Sequence, residues 1–93
     1  MTRLERVLKE KRRLLESMGI SISYDQSRLP SSCSADLDCT RFVAKITHWP
    51  DARFELQIND AASGDVSFLE TKEFDSDDEF AKFVEEVFRA SLN

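Results

Sequence analysis

Residues 42–59 read FVAKITHWPDARFELQIN, and in both halves of this stretch the apolar side chains fall on every second residue. Phe42, Ala44 and Ile46 alternate with Val43, Lys45 and Thr47. Beyond a break at Trp49-Pro50-Asp51, Phe54, Leu56 and Ile58 alternate with Glu55, Gln57 and Asn59. A period of two is the side-chain period of a β-strand with one buried face and one wet face. The link from Trp49 to Arg53 is too short for a parallel crossover, so the two runs form an antiparallel hairpin.

The same period extends on both sides. Upstream, Cys33, Ala35, Leu37 and Cys39 alternate with Ser34, Asp36 and Asp38, and the link from Asp38 to Arg41 is again hairpin-sized. Downstream, a turn from Asp60 to Asp65 containing Ser63 and Gly64 leads into a strand from Val66 to Phe74. Its pattern breaks: Val66 and Phe68 fall in one phase and Leu69 in the other. A β-bulge, or an outer face that is partly apolar, accounts for such a break.

Helical spacing takes over at both ends. Leu4, Val7, Leu8, Leu14, Leu15 and Met18 recur at three and four residues behind a capping box, Thr2 with Glu5. Gly19 supplies the left-handed terminus such a helix favours, and Ile20, Ile22 and Tyr24 then alternate as a further strand. Asp25 to Ser32, with Pro30 among polar residues, reads as a loop. A second capping box, Ser76 with Glu79, opens a helix whose stripe is Phe80, Phe83, Val84, Val87, Phe88 and Leu92, with Asp77 and Asp78 at its positive end. The fold class is therefore α+β: an N-terminal helix, an antiparallel sheet of about five strands and a C-terminal helix, both helices on one sheet face. Residues 1–93 are read as a single domain, because 93 residues leave no room for a second core.

Composition narrows the function classes. Hydrophobic residues make up 41% and charged residues 33%, with two Gly and two Pro, the usage of a folded soluble chain. No run of 18 apolar residues appears and the first residues are charged, which points to the cytoplasm. Cys33 and Cys39, six residues apart on a strand, lie roughly 20 Å apart if extended, so they read as reduced thiols rather than a disulfide. The net charge of -5 is unevenly spread: residues 1–28 hold seven Lys or Arg against four Asp or Glu, and residues 29–93 hold six against fourteen. The acidic body argues against nucleic acid as the main ligand. Arg3, Arg6, Lys9, Arg12 and Arg13 read as a solvated helix face.

No motif for catalysis or cofactor binding is present. His48 is the single histidine and has no Ser or Cys motif around it, and no P-loop, GxGxxG, HExxH or zinc-spaced Cys/His set occurs. Asp75, Asp77, Asp78 and Glu79 lack the spacing and glycine of a calcium loop and read as helix capping. The sequence thus predicts no enzyme, no cofactor, no metal and no small-molecule substrate. What it does carry is apolar material on faces that should be wet. Val43 and Leu69 stand in outer phases, and Trp49, a residue type enriched in interface hot spots, closes the third strand. Trp49 folds over a core edge or centres a binding surface; on the second reading the surface comprises Arg41, Val43, Trp49, Asp51, Arg53, Glu55 and Leu69.

The run Phe42-Val43-Ala44-Lys45-Ile46-Thr47-His48-Trp49, followed by Phe54-Glu55-Leu56-Gln57-Ile58-Asn59-Asp60 and by Phe74-Asp75-Ser76 with Glu79-Phe80, resembles the TriTu immunity proteins. Those proteins protect bacteria from their own ADP-ribosyltransferase toxin directed at elongation factor Tu. The resemblance spans nearly the whole chain and implies a cytoplasmic protein that binds the cognate toxin domain and blocks its NAD or target-protein site. It supplies no catalytic residues. The alternative is a small acidic secretion chaperone, which predicts a homodimer with an exposed apolar helix face. An ADP-ribosyl hydrolase would need a spaced acidic metal cluster, and a nucleic-acid binder would need salt-sensitive binding through the basic helix.

Overall fold

The computed structural model describes residues 3–25, 33–49 and 52–92. Helix α1 (Arg3–Ser17) leads into strands β1 (Ser21–Asp25), β2 (Cys33–Asp38), β3 (Phe42–His48), β4 (Arg53–Asp60) and β5 (Val66–Glu73), and helix α2 (Asp77–Leu92) closes the fold. The strands form one antiparallel meander in the order β1-β2-β3-β4-β5. The hairpin of residues 42–59 is its centre, with Ala44 opposite Ile58 and Ile46 opposite Leu56.

Burial follows the alternation. Phe42, Ala44, Ile46, Phe54, Leu56 and Ile58 are all at most 3% exposed, and Ala35 and Leu37 continue the same face on β2. Both helices cover this face. Helix α1 buries Leu4, Val7, Leu8 and Leu15, while Leu14 of the expected stripe is only half-buried. Helix α2 buries Phe80, Ala81, Val84 and Phe88, and Phe83, Val87 and Leu92 pack at the margin of the core. Aromatic rings tie α2 to the sheet: Phe80 stacks on Phe54 with centroids 3.9 Å apart, and Phe88 stacks on Phe42 at 5.5 Å. Each such fully buried side chain stabilises the fold by roughly 1.5–3 kcal/mol before entropy is counted.

The helix ends match their sequence signals where they are described. Gly19 adopts φ 85°, and the N–H groups of Gly19 and Ile20 bond the carbonyls of Glu16 and Leu15 at 3.0 Å, the Schellman arrangement. The Ser76 hydroxyl accepts the Glu79 N–H at 3.2 Å, capping α2. Thr2 of the first capping box lies outside the described residues, as do most of the loop from Asp25 to Ser32 and the pair Pro50-Asp51. Asp25 itself belongs to β1 rather than to that loop. Tyr24 departs from the half-buried alternation expected of β1: it is 43% exposed, because β1 is an edge strand.

Arg6, Lys9, Arg12 and Arg13 of α1 are exposed, as a solvated face requires, while Arg3 is half-buried, and part of this basic character also joins α1 to α2. Arg3 and Arg6 both hold Asp77, the first residue of α2, at 2.9 and 2.8 Å, and Arg3 also donates to the Phe74 carbonyl. Lys11 pairs with Glu85 at 3.2 Å, and Arg12 pairs with Glu16 one turn along α1. The hydrogen bonds from Arg6 and then Arg3 hold the Asp77 carboxyl below its ordinary pKa, and Lys11 does the same for Glu85. Asp77 is thus engaged in joining the two helices, as well as sitting at the positive end of α2.

Candidate functional site

With both helices on one face, no described helix covers the other face of the sheet, which is most exposed over β3–β5 and has Ser34 buried on β2. By register it presents Ser34, Asp36 and Asp38 from β2, Val43, Lys45 and Thr47 from β3, Arg53, Glu55, Gln57 and Asn59 from β4, and Val66, Leu69, Thr71 and Glu73 from β5. Three large apolar side chains stand out on it: Val43 is 52% exposed, Val66 53% and Leu69 57%. Asn59 lies between Val43 and Val66, and Gln57 lies directly opposite Leu69.

A β-bulge creates this grouping. Asn59 pairs with Val66 and Ile58 with Phe68, so Ser67 is the extra residue on β5, and its hydroxyl donates to the Ile58 carbonyl at 3.2 Å. One additional residue flips the phase: Val66 joins Leu69 on the bare face while Phe68 turns inward to meet Phe83. The sequence placed Val66 with Phe68 and so missed it as a surface residue, although the broken pattern was visible. Both explanations offered for that break apply together.

At the other end of the face, the Trp49 N–H donates to the Arg53 carbonyl at 3.2 Å, extending the β3–β4 ladder by one pair. The Arg53 guanidinium lies 5.6 Å from the centroid of the half-buried Trp49 ring. This cation–π contact presents an aromatic plane and a fixed charge side by side. Glu55 stands one row further in, half-buried between Thr47 and Thr71. The preceding inward residue, His48, stacks on Phe54 with centroids 4.3 Å apart and planes 5° from parallel, and its Nδ1 lies 3.9 Å from the Cys33 sulfur. Cys33 and Cys39 are both free thiols packed at the core margin.

Of the residues singled out in the sequence, Val43, Trp49, Arg53, Glu55 and Leu69 share this side of the sheet, and Asp51 lies outside the described residues. Arg41 is separated from them. Its guanidinium donates to the Leu92 carbonyl at 2.7 Å, at the carboxyl end of α2, so it belongs to the helix-covered side. There it lines a groove of about 760 Å³ whose apolar walls include Phe42, Ile58, Phe68, Val87 and Ala90. Asp60, also on that groove, accepts the N–H groups of Ala62 and Ser63 at 2.8 and 3.0 Å; those bonds lower its pKa and close the turn to Gly64.

Charge is distributed unequally around the sheet. The bare face carries the carboxylates of Asp36, Asp38, Glu55 and Glu73 against the cations Lys45 and Arg53, whereas the basic residues of α1 lie on the opposite side. Among the described residues, no cluster of three or more His, Cys, Asp or Glu could hold a metal ion, and no helix is long and apolar enough to cross a membrane. The face sets apolar and aromatic side chains among polar and charged ones, a mixture of the kind found in protein contact surfaces.

Residues 2–90 match the family model described as immunity protein TriTu. Comparison with curated proteins gave no match.

Proposed function

The chain belongs to the TriTu immunity-protein family, and from that premise we propose that it binds and neutralises a cognate bacterial ADP-ribosyltransferase toxin directed at elongation factor Tu. It acts by contact, as one small α+β unit in the cytoplasm, covering the toxin's cofactor cleft or its target-binding surface. The observation that carries this reading is the family match across nearly the whole chain. The toxin's chemistry follows from the resemblance of the strand ending in Trp49, the strand after it and the cap of α2 to that family.

The physical features agree with an occluding binder. Such a protein needs a complementary surface and no reactive group of its own, and the bare sheet face offers one with Val43, Trp49, Arg53, Glu55 and Leu69 as contact residues; Arg41 and Asp51 flank them in the chain. A net charge of -5 favours rapid capture of a basic partner. The chaperone alternative calls for an apolar helix stripe left open for a partner, whereas both helices here bury their stripes in one common core.

The test is stoichiometric. The purified chain is mixed with the toxin encoded beside its gene, and NAD-dependent modification of elongation factor Tu is followed. Full inhibition at one to one, with a stable complex, supports occlusion. Inhibition by trace amounts would indicate an enzyme that reverses the modification, and co-purification without inhibition would indicate a chaperone.

A further inference from the structure

Resting on that functional reading, we infer that the toxin docks on the β3–β5 half of the bare sheet face, with Val43, Val66 and Leu69 as its apolar centre, and not in the groove beside α2. Single exposed apolar residues are ordinary, but here three occupy neighbouring rows of one face, two of them on an edge strand, where exposed apolar side chains invite aggregation unless a partner covers them. The bulge at Ser67 strengthens the case. Without it Val66 would face inward with Phe68; with it, a side chain leaves the core side to join Leu69.

Size separates the two candidate surfaces. The three strands β3–β5, at about 4.8 Å spacing and about eight residues of 3.3 Å each, give a flat footprint of roughly 400 Å². Side-chain relief enlarges that toward the roughly 800 Å² that each partner contributes to a standard protein interface, of which this half supplies the central part. The groove beside α2 has room for only a few side chains in its 760 Å³, and Arg41 on its lining already donates to the Leu92 carbonyl.

Charge defines the chemistry of the occupant. Among the described residues Glu55 and Glu73 balance Lys45 and Arg53 within this half, and the acidic excess, Asp36 and Asp38, lies beside it on β2 with Asp38 opposite Val43. The face therefore selects a toxin surface whose apolar centre is bordered by Lys or Arg on the side that meets β2. Trp49 with Arg53 above it forms a second anchor, about six residues along β4 from the Val43 row.

The experiment measures binding and inhibition of the toxin domain by the full chain and three variants: Val66→Asp with Leu69→Asp, Leu69→Arg alone, and Ala90→Glu in the groove. The first two should weaken binding by at least roughly 30-fold while melting like the wild type, because the altered side chains are more than half exposed. Leu69→Arg puts a charge into the apolar centre and, as a single change at an exposed position, guards against a folding defect in the double variant. Ala90→Glu should bind within about threefold of wild type. Full inhibition by Leu69→Arg, or loss of inhibition in Ala90→Glu, would overturn the assignment of the face while leaving the immunity function intact. A wild-type chain that neither binds nor inhibits the toxin would instead remove the functional reading itself. A wild-type homodimer that Leu69→Arg converts to monomer would assign the face to self-association and likewise overturn the inference.

Discussion

Replacing Phe54 with Ala should be the most damaging single change in the fold. The side chain is 2% exposed and sits among three rings: Phe80 at 3.9 Å, His48 at 4.3 Å and Phe74 at 5.8 Å, with the Arg3 guanidinium 5.3 Å from its centroid. Truncating a buried Phe costs about 3–5 kcal/mol through lost transfer energy and the cavity left behind. The position joins β4, α2 and the α1 arginine, so collapse around it is limited and about 4 kcal/mol is the expected loss. A chain of 93 residues has a stability on the order of 5–14 kcal/mol. The variant should therefore melt about 16–32 °C lower. Phe54→Leu keeps most of the volume but none of the ring stacking, worth about 0.5–1.5 kcal/mol per aromatic pair, and should lose roughly 1.5 kcal/mol. Urea titrations followed by far-ultraviolet circular dichroism give both values, with Val43→Ala, on the bare face, as a control expected within about 0.5 kcal/mol of wild type. A loss below about 1.5 kcal/mol for Phe54→Ala, or no measurable loss for Phe54→Leu, would refute the view that stacked rings at this point join helix to sheet.

Gly19→Ala should cost about 1 kcal/mol in the same titrations. Its φ of 85° is unfavourable for any side chain, while an added Cβ meets nothing within 4 Å, so a much larger loss would mean that a clash had been missed. Asp77→Asn should destabilise the protein at neutral pH by releasing Arg3 and Arg6, and the difference from wild type should shrink in acid. The sign follows from the lowered pKa: the ionised carboxylate stabilises the fold above the unfolded-state value near about 4, and that contribution is lost as pH falls through the folded-state pKa. A pH-independent difference in melting temperature would contradict it. Trp49→Ala should weaken toxin binding by about 2 kcal/mol or more, measured by calorimetry; unchanged affinity in a folded variant would take Trp49 out of the interface.

Periodicity in the sequence was sufficient for the elements, their order and the layer arrangement. Alternation in Phe42–Ile46 and Phe54–Ile58 specifies which face of each strand is buried, because a strand has only two faces and a one-residue slip would expose every apolar side chain. Short links then leave an antiparallel meander as the simple solution, and the stripes of α1 and α2 have one apolar surface to cover. Capping at Ser76 and the left-handed turn at Gly19 are local, fixed by side chains within a few residues of each other.

Tertiary structure decided what depends on partners distant in the chain. The fate of Arg41 was not legible, since the carbonyl it bonds, that of Leu92, lies 51 residues away. The same holds for the basic α1, whose Arg3 and Arg6 meet Asp77 across 74 and 71 residues and become part of the helix pair. On β5 the sequence showed that the alternation fails but not where; only the pairing of Asn59 with Val66 and of Ile58 with Phe68 identifies Ser67 as the extra residue. Local spacing determines which residues share a face when the period is unbroken. Where a bulge resets the phase, pairing with the neighbouring strand determines it, and that is why Val66 entered the candidate site from the structure alone.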